Sequence, residues 1–180
     1  MPILIVALVL IGVFLWLIYN SLISLKMKVS EALSQIDVQL KRRADLIPNL
    51  VETVKGYAAH EKELFEKVTK ERSVLLSAKG AMEKASANNE LSQTLKSIFA
   101  VAENYPDLKA SQNFSQLQEE LSDTENKIAY ARQFYNSNVM NYNTKIKIFP
   151  NVMFARILNF QPSEFFGAAE GDKQPIQVKF

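Results

Sequence analysis

The feature that most constrains this chain is a continuous apolar run, Ile3–Tyr19, with no charged side chain before Lys26. As a helix, such a run rises about 26 Å, which is slightly less than the ~30 Å hydrocarbon core of a bilayer. The apolar residues from Leu22 to Leu25 can supply the remainder. The sequence therefore predicts a single transmembrane anchor over residues 1–25.

A cleaved signal peptide is the alternative interpretation of this run. No basic residue precedes it, and no small-residue cleavage pattern follows it. The pattern of the following residues favours an anchor that is retained, with Trp16 and Tyr19 at the headgroup boundary. Lys26 and Lys28 are the basic residues placed to contact lipid. Because basic residues follow the run, the positive-inside rule predicts that the C-terminal domain is cytoplasmic.

The rest of the chain carries helical patterns. Apolar residues recur every three or four positions from Leu22 to Leu40, so one helix should leave the membrane and enter the domain without a hinge. A second long stripe runs from Phe114 to Phe149 with the same spacing. We therefore predict an all-α fold in which the transmembrane helix continues into an antiparallel bundle of long helices over residues 26–166. Residues 167–180 are predicted to form a loop and a short extended C-terminal tail.

Local signals predict where the helices end. Pro48 lacks an amide hydrogen, so we expect the first helix to bend or restart at Asp45–Pro48. Gly80, Asn88 and Asn89 indicate a turn after the following helix. Ser115 and Gln118 have the spacing of a capping box at the start of the long stripe.

Composition and charge exclude several classes of protein. The net charge of +2 predicts no nucleic-acid partner, and the absence of cysteine excludes disulfides and thiolate chemistry. Asp37, Asp45 and Glu52 could share a helix face and bind a cation. Ordinary surface pairs such as Asp37–Lys41, or a helix cap at Asp45, are the favoured interpretation. We predict no catalytic residue, no cofactor and no metal site.

Polar residues around Pro48 form the candidate partner surface. They lie roughly 35 Å along the helix from Tyr19, much further than the ~8 Å Debye length, so contact with lipid headgroups is not expected. A surface for a protein partner is the stronger hypothesis. Its residues are Lys41, Arg42, Arg43, Asp45 and Asn49.

Two Tyr-Asn pairs, Tyr135-Asn136 and Tyr142-Asn143, recur seven residues apart on the long stripe. Both tyrosines should share one face, as core residues whose hydroxyls find hydrogen-bond partners. The asparagines could fix the register of the helices through buried hydrogen bonds. A ligand pocket between the helices is the other interpretation.

The chain resembles the bacterial LemA family nearly end to end. The resemblance rests on Ser34–Arg43, Asp45–Val51, Val54–Ala58 and His60-Glu61, on both Tyr-Asn pairs, and on Phe149-Pro150. Leu33 stands where many members have tryptophan, and Gly167 where a glutamate is common. The resemblance implies a membrane-anchored helical bundle in the bacterial cell membrane, without enzymatic activity, and some relatives are linked to the formation of internal membranes.

These observations favour a non-enzymatic, single-pass scaffold or adaptor that contacts the bilayer through residues 3–25 and presents a rigid bundle to an unidentified protein partner. Self-assembly that organises or shapes the membrane is the alternative, with Pro175–Phe180 as a segment that could join two copies into a homo-oligomer. A metal-dependent enzyme is the least favoured hypothesis.

Overall fold

The computed structural model of the protein describes residues 2–58 and 60–167, and the predicted extended tail lies outside these ranges. The described residues form helices and connecting turns, with no β-strand among them. This confirms the all-α prediction. The helices are α1 (Pro2–Lys55), α2 (Lys62–Ser77), α3 (Gly80–Ala102), α4 (Pro106–Lys109), α5 (Gln112–Lys147) and α6 (Asn151–Ile157).

The two longest helices, α1 and α5, pack side by side in opposite directions. Asn49 on α1 lies across a groove from Gln116 on α5, whereas Gln39 lies across from Ala131. The α5 numbers therefore rise as the α1 numbers fall. The predicted α5 stripe is confirmed from Phe114 to Ile146 as the buried face of this pair, whereas Phe149 lies beyond the helix and is exposed. It consists of Phe114, Leu121, Thr124, Ile128, Tyr135, Val139, Tyr142 and Ile146. Helices α2 and α3 pack against each other and against α1.

The N-terminal part of α1 is long and apolar enough to cross a membrane. The large apolar side chains between Ile3 and Leu17 are exposed, and burial against the bundle begins at Ile18. Leu22 is completely buried and Leu25 is half-buried. The sequence predicts that Leu22–Leu25 extend the lipid-facing span. Leu22 instead packs inside the protein, so its side chain is not available to contact lipid.

The predicted restart of the helix at Asp45–Pro48 is wrong, because α1 continues through Pro48 to Lys55. A proline inside a helix removes the donor to the carbonyl four residues earlier, which here belongs to Ala44. That carbonyl accepts a hydrogen bond from Nε of Arg72 on α2, at 2.7 Å. A tertiary contact thus replaces the missing bond, and Asp45 does not cap a new helix.

Two further local predictions need correction. The chain turns at Ala78 and Lys79, and α3 begins at Gly80, whose φ of +76° suits glycine. Asn88 is buried inside α3 and lies in no turn. Helix α5 begins after Ser111, earlier than the predicted capping box, and the Ser111 side chain makes no capping hydrogen bond.

The chain reverses direction once more after α5. The peptide bond between Phe149 and Pro150 is cis, and the short helix α6 follows. Residues 160–167 then form a non-helical segment, which we call the strap. The strap runs back along α5 and ends where the described residues end.

Candidate functional site

Four of the five predicted partner-surface residues are exposed on α1: Lys41, Arg42, Asp45 and Asn49. We call them the polar ridge. The Lys41 ammonium and the Asp45 carboxylate are 2.9 Å apart, an ordinary exposed i,i+4 pair. Arg42 is half-exposed and reaches Asp123 on α5 at 3.7 Å. The ridge therefore carries two cations, one carboxylate and one amide on a helix that does not restart at Pro48.

The fifth residue, Arg43, does not belong to this surface, because its side chain is only 4% exposed. Its Nη1 donates to Oδ1 of Asn88 on α3 at 2.8 Å, and its guanidinium pairs with Glu125 on α5. A helix turns by about 100° per residue, so neighbours in sequence can face solvent and core. Sequence alone did not reveal which member of the basic cluster faces inward.

Helix α3 supplies the other half of a polar seam between α1, α3 and α5. Lys84, Asn88 and Ser92 are four residues apart, so they share one face of α3. Lys84 contacts Asp37 of α1 at 2.5 Å, and the Ser92 hydroxyl donates to Glu125 at 3.2 Å. The predicted Asp37–Lys41 pair is absent from the ion pairs of the described residues, because Asp37 pairs between helices instead.

Burial has an electrostatic effect at the centre of the seam. Desolvation lowers the pKa of Arg43, and the nearby Glu125 carboxylate partly offsets this by raising it. An arginine remains charged throughout the physiological range even so. The Nε of Arg43 is buried and has no hydrogen-bond partner in the described part of the chain, so these neighbours do not fully satisfy the guanidinium. The seam holds a permanent buried charge that ties three helices together.

The two Tyr-Asn pairs hold the strap against α5. The Asn143 amide both donates to the backbone carbonyl of Ser163 and accepts from its N–H, each at 2.8 Å. Asn136 makes the same two bonds with Phe166, at 3.1 and 2.9 Å. Each asparagine thus pairs with backbone as a neighbouring strand would. Their role is different from the predicted control of helix register.

The tyrosines complete this arrangement, and the prediction that their hydroxyls find partners is confirmed. Tyr142 donates to the carbonyl of Gln161 at 3.0 Å, and Tyr135 donates to that of Glu164 at 2.8 Å. The Phe166 ring packs edge-on against the Tyr135 ring. Burial raises the pKa of both Tyr135 and Tyr142. The space predicted as an alternative ligand pocket on this face is occupied by the strap.

The sevenfold spacing has a simple geometric reason. Seven residues of α-helix rise about 10.5 Å, and three residues of extended chain cover about 10 Å. Asn136 and Asn143 are seven apart on α5, and their partners Phe166 and Ser163 are three apart on the strap. The repeat therefore matches the periods of a helix and an extended segment that run side by side.

The hypothesis of a cation site finds no support in the placement of its residues. Asp45 pairs with Lys41, and Asp37 with Lys84. Over residues 2–58 and 60–167, no three histidine, cysteine or acidic side chains lie close enough together to hold a metal ion.

A groove at the far end of the bundle from the apolar part of α1 was missed by the sequence reasoning. It is lined by Lys55 at the end of α1 and by residues of α2, namely Lys62, Phe65, Glu66, Thr69, Lys70 and Ser73. Its lysines come from two helices that meet only in the folded chain, so no short motif marks them.

The model of the LemA family matches residues 32–180. This chain belongs to the LemA family. The match includes the polar ridge, the seam and both Tyr-Asn pairs, and it begins downstream of the apolar part of α1. The resemblance noted in the sequence is thereby confirmed.

Several LemA-family relatives carry descriptive names. The chain is 29% identical over 176 residues to Protein LemA of Metamycoplasma hominis, covering 93% of this chain and 78% of the relative. It is 23% identical over 184 residues to the magnetosome protein MamQ of Magnetospirillum gryphiswaldense, covering 88% and 68%. The protein MamQ 2 of Paramagnetospirillum magneticum is 24% identical with the same coverage. None of these names denotes an enzyme, and together with the apolar helix they fit a membrane-associated bacterial protein.

Proposed function

We propose that this LemA-family protein is a non-enzymatic, single-pass membrane scaffold whose polar ridge binds a partner protein. The observation that carries the proposal is the continuity of α1, a helix of 54 residues that includes both the apolar segment and the central helix of the bundle. A helix without a hinge fixes the height above the membrane of everything packed on it. Such a device suits the positioning of a partner at a set distance from a membrane.

The placement of the ridge supports its use as the contact surface. Its residues lie about 33–45 Å along α1 from Tyr19, given 1.5 Å per residue. Lys41 and Asp45 form an ion pair that is exposed to solvent. A partner could replace this contact with its own at little cost in free energy. Asn49 borders a groove between α1 and α5 that includes Gln116 and Glu120. A rigid surface with mixed charge is typical of the rim of a protein interface.

Photo-crosslinking in bacterial membranes tests this proposal. A photoreactive amino acid is placed at Lys41, Asp45 or Asn49 of the full chain, and at exposed Met82 on α3 as the control position. We expect the ridge positions to give a discrete protein adduct that is missing at Met82. Equal yields at both surfaces, or no protein adduct with the chain intact in the membrane, would refute the proposal.

Sidedness is part of the proposal and needs its own measurement. The basic residues after the apolar segment support a cytoplasmic bundle. A C-terminal reporter that is active only in the cytoplasm should be active. If only a reporter that works outside the cytoplasm were active, the topology would be the reverse of the one proposed. The crosslinking test would remain valid in that case.

Self-assembly is the second candidate function, and a specific surface favours it. Between α1 and α5, three large apolar side chains are exposed around one groove: Val38, Tyr130 and Phe134. Tyr130 is 74% exposed. A contiguous exposed apolar patch on a bundle is typical of an interface. The similarity to proteins named as magnetosome proteins fits an assembly that organises membranes.

The mass of the detergent-solubilised protein tests the second candidate. Light scattering would compare the native chain with a Tyr130→Ser, Phe134→Ser double variant and with Met82→Ser as the control. Self-assembly through this groove predicts a smaller particle for the double variant alone. The same mass for all three proteins would eliminate this surface as the assembly contact.

A further inference from the structure

The end of the bundle nearest the apolar segment carries an apolar surface that nothing in residues 2–58 and 60–167 covers. It comprises Ile148, Phe149, Met153, Ile157 and Leu158, all exposed, and we call it the foot. Phe149 is 79% exposed and Ile157 is 77% exposed. Several large apolar side chains that are this exposed on one short stretch mark a site that contacts another protein or a membrane.

The packing of α6 shows why these side chains face outward. Asn151 and Ala155 are buried against the bundle, while Met153 and Ile157 are exposed. Residues two apart on a helix point in nearly opposite directions, and residues four apart share a face. Helix α6 therefore has one face on the protein and one apolar face without a protein partner among the described residues.

The foot lies where α1 leaves its apolar segment. Phe160, just after α6, packs its ring edge-on against Tyr19, with the centroids 6.3 Å apart. The Lys26 ammonium lies 5.9 Å from the centroid of the same ring. Tyr19 and Lys26 are two of the residues expected at the membrane interface. The foot is thus held at the same level as the junction between anchor and bundle.

The burial of α1 makes this level significant. The exposed apolar residues Ile3–Leu17 rise about 22 Å, against ~30 Å for a hydrocarbon core. Beyond them, Ile18 and Leu22 face the protein. Past Leu17, apolar contact with lipid must therefore come from the protein surface around α1. At this level, that surface includes the foot.

The charges around the foot also suit a lipid surface. Residues 18–30 and 141–163 contain no aspartate or glutamate. They contain five basic residues, Lys26, Lys28, Lys145, Lys147 and Arg156. Basic side chains that border an apolar helix face are the pattern of a segment lying in the headgroup region, where lipid phosphates are anionic.

From these observations we infer that the foot enters the membrane interface beside α1, with Met153 and Ile157 among the acyl chains and the basic residues at anionic headgroups. The inference deepens the proposed function and rests on the anchor, because the foot can contact lipid only while α1 holds the bundle at the membrane. With two contacts on the bilayer, the bundle cannot rotate freely about α1. The polar ridge would then have a fixed direction as well as a fixed height.

The absence of native cysteine permits a direct test. The full chain is reconstituted into vesicles of phosphatidylcholine and phosphatidylglycerol after labelling Ile157→Cys or Met153→Cys with an environment-sensitive fluorophore. Leu10→Cys in the apolar segment is the positive control, and Met82→Cys on α3 is the exposed control. Lipids with a nitroxide on the acyl chain and aqueous iodide serve as the two quenchers.

We expect the foot probes to emit at shorter wavelength than the Met82 probe, to be quenched by the nitroxide lipid and to be protected from iodide. Foot probes that behave like Met82, while Leu10 is quenched by lipid, would overturn the inference and leave the anchor standing. Foot probes that resist both quenchers would also overturn it, because residues 168–180 or a second copy would then cover the foot. If Leu10 itself is open to iodide, the anchor and the proposed function fail.

Omitting phosphatidylglycerol tests the electrostatic part. We expect weaker nitroxide quenching at Ile157 and unchanged quenching at Leu10, because only the foot depends on anionic headgroups. Equal quenching in neutral and anionic vesicles would overturn the role of the basic residues.

Discussion

Arg72 on α2 donates its Nε–H to the carbonyl of Ala44 on α1, at 2.7 Å. This is the carbonyl that Pro48, four residues later, cannot bond. Ala44 is completely buried, so water is poorly placed to satisfy the freed oxygen. The contact therefore keeps α1 continuous at the one position where the sequence predicts a break.

A double-mutant cycle tests this relationship. Arg72→Met should lower the free energy of unfolding by about 1–3 kcal/mol, because it leaves a buried carbonyl unsatisfied. In a Pro48→Ala background the substituted residue regains a backbone N–H that can bond the Ala44 carbonyl, so the cost of Arg72→Met should shrink. Thermal unfolding of the full chain in detergent, followed by circular dichroism at the helix band, gives the four stabilities. Equal costs in both backgrounds would show that Arg72 acts elsewhere.

The buried seam should contribute more to the free energy of unfolding than the exposed Lys41–Asp45 pair beside it. Glu125→Gln keeps the shape of the side chain but leaves the Arg43 charge with neutral partners alone, the new amide and Asn88. We expect a loss of about 1–3 kcal/mol in the free energy of unfolding, as for hydrogen bonds to charged groups. Asp45→Asn, which breaks the exposed pair with Lys41, should cost at most ~0.5 kcal/mol. The same melts measure both, and equal losses would contradict a structural role for the seam.

The asparagine contacts predict a local effect on the strap. Asn136→Ala or Asn143→Ala removes two backbone hydrogen bonds, so amide exchange should accelerate in residues 160–167 while the middle of α5 stays protected. Asn138→Ala is the matched control, because within the described ranges the Asn138 amide bonds only the carbonyl of Phe134 on its own helix. Hydrogen exchange with mass spectrometry resolves the two regions. Faster exchange throughout α5 would mean that the asparagines support the whole bundle.

The buried tyrosines predict a dependence on high pH. Burial raises the pKa of Tyr135 and Tyr142 above the ordinary value of 10.0, so the unfolded chain loses these protons first as pH rises. Their contribution to the free energy of unfolding is fully present below the pKa of a tyrosine in the unfolded chain. It is lost as the pH rises through the pKa in the folded protein. The Tm should therefore fall more steeply above about pH 10 in the native chain than in a Tyr135→Phe, Tyr142→Phe variant. Parallel slopes would contradict the pKa shifts.

Much of the fold was accessible from patterns along the chain. The three-and-four spacing of apolar residues predicted the long α5 stripe and the passage of α1 into the bundle without a hinge, because helical periodicity is a local property. Only the tyrosine half of the Tyr-Asn prediction was right. Nothing in the local sequence shows that a segment twenty to thirty residues downstream would become the partner of the asparagines.

The failures share a physical cause. Pro48 and Asn88 both carry local signals against an uninterrupted helix, and in each case a distant side chain, Arg72 or Arg43, satisfies the polar group concerned. Relative to alanine, helix propensity costs less than about 1 kcal/mol at asparagine and about 3 kcal/mol at proline. A buried polar group left unsatisfied costs about 1–3 kcal/mol, so these buried contacts offset much of the local preference. Which basic residue of the cluster faces inward was likewise decided by packing against α3 and α5.

For this protein, the sequence by itself determined the helical class, the apolar segment and the apolar stripe of α5, because periodicity and hydropathy act within one stretch of chain. Tertiary structure alone decided that α1 stays whole at Pro48, that Arg43 is buried and that α6 presents an apolar face beside Tyr19. These features depend on pairs of residues that are far apart in sequence. Their energies appear only when the chain has folded and water has been removed from between them.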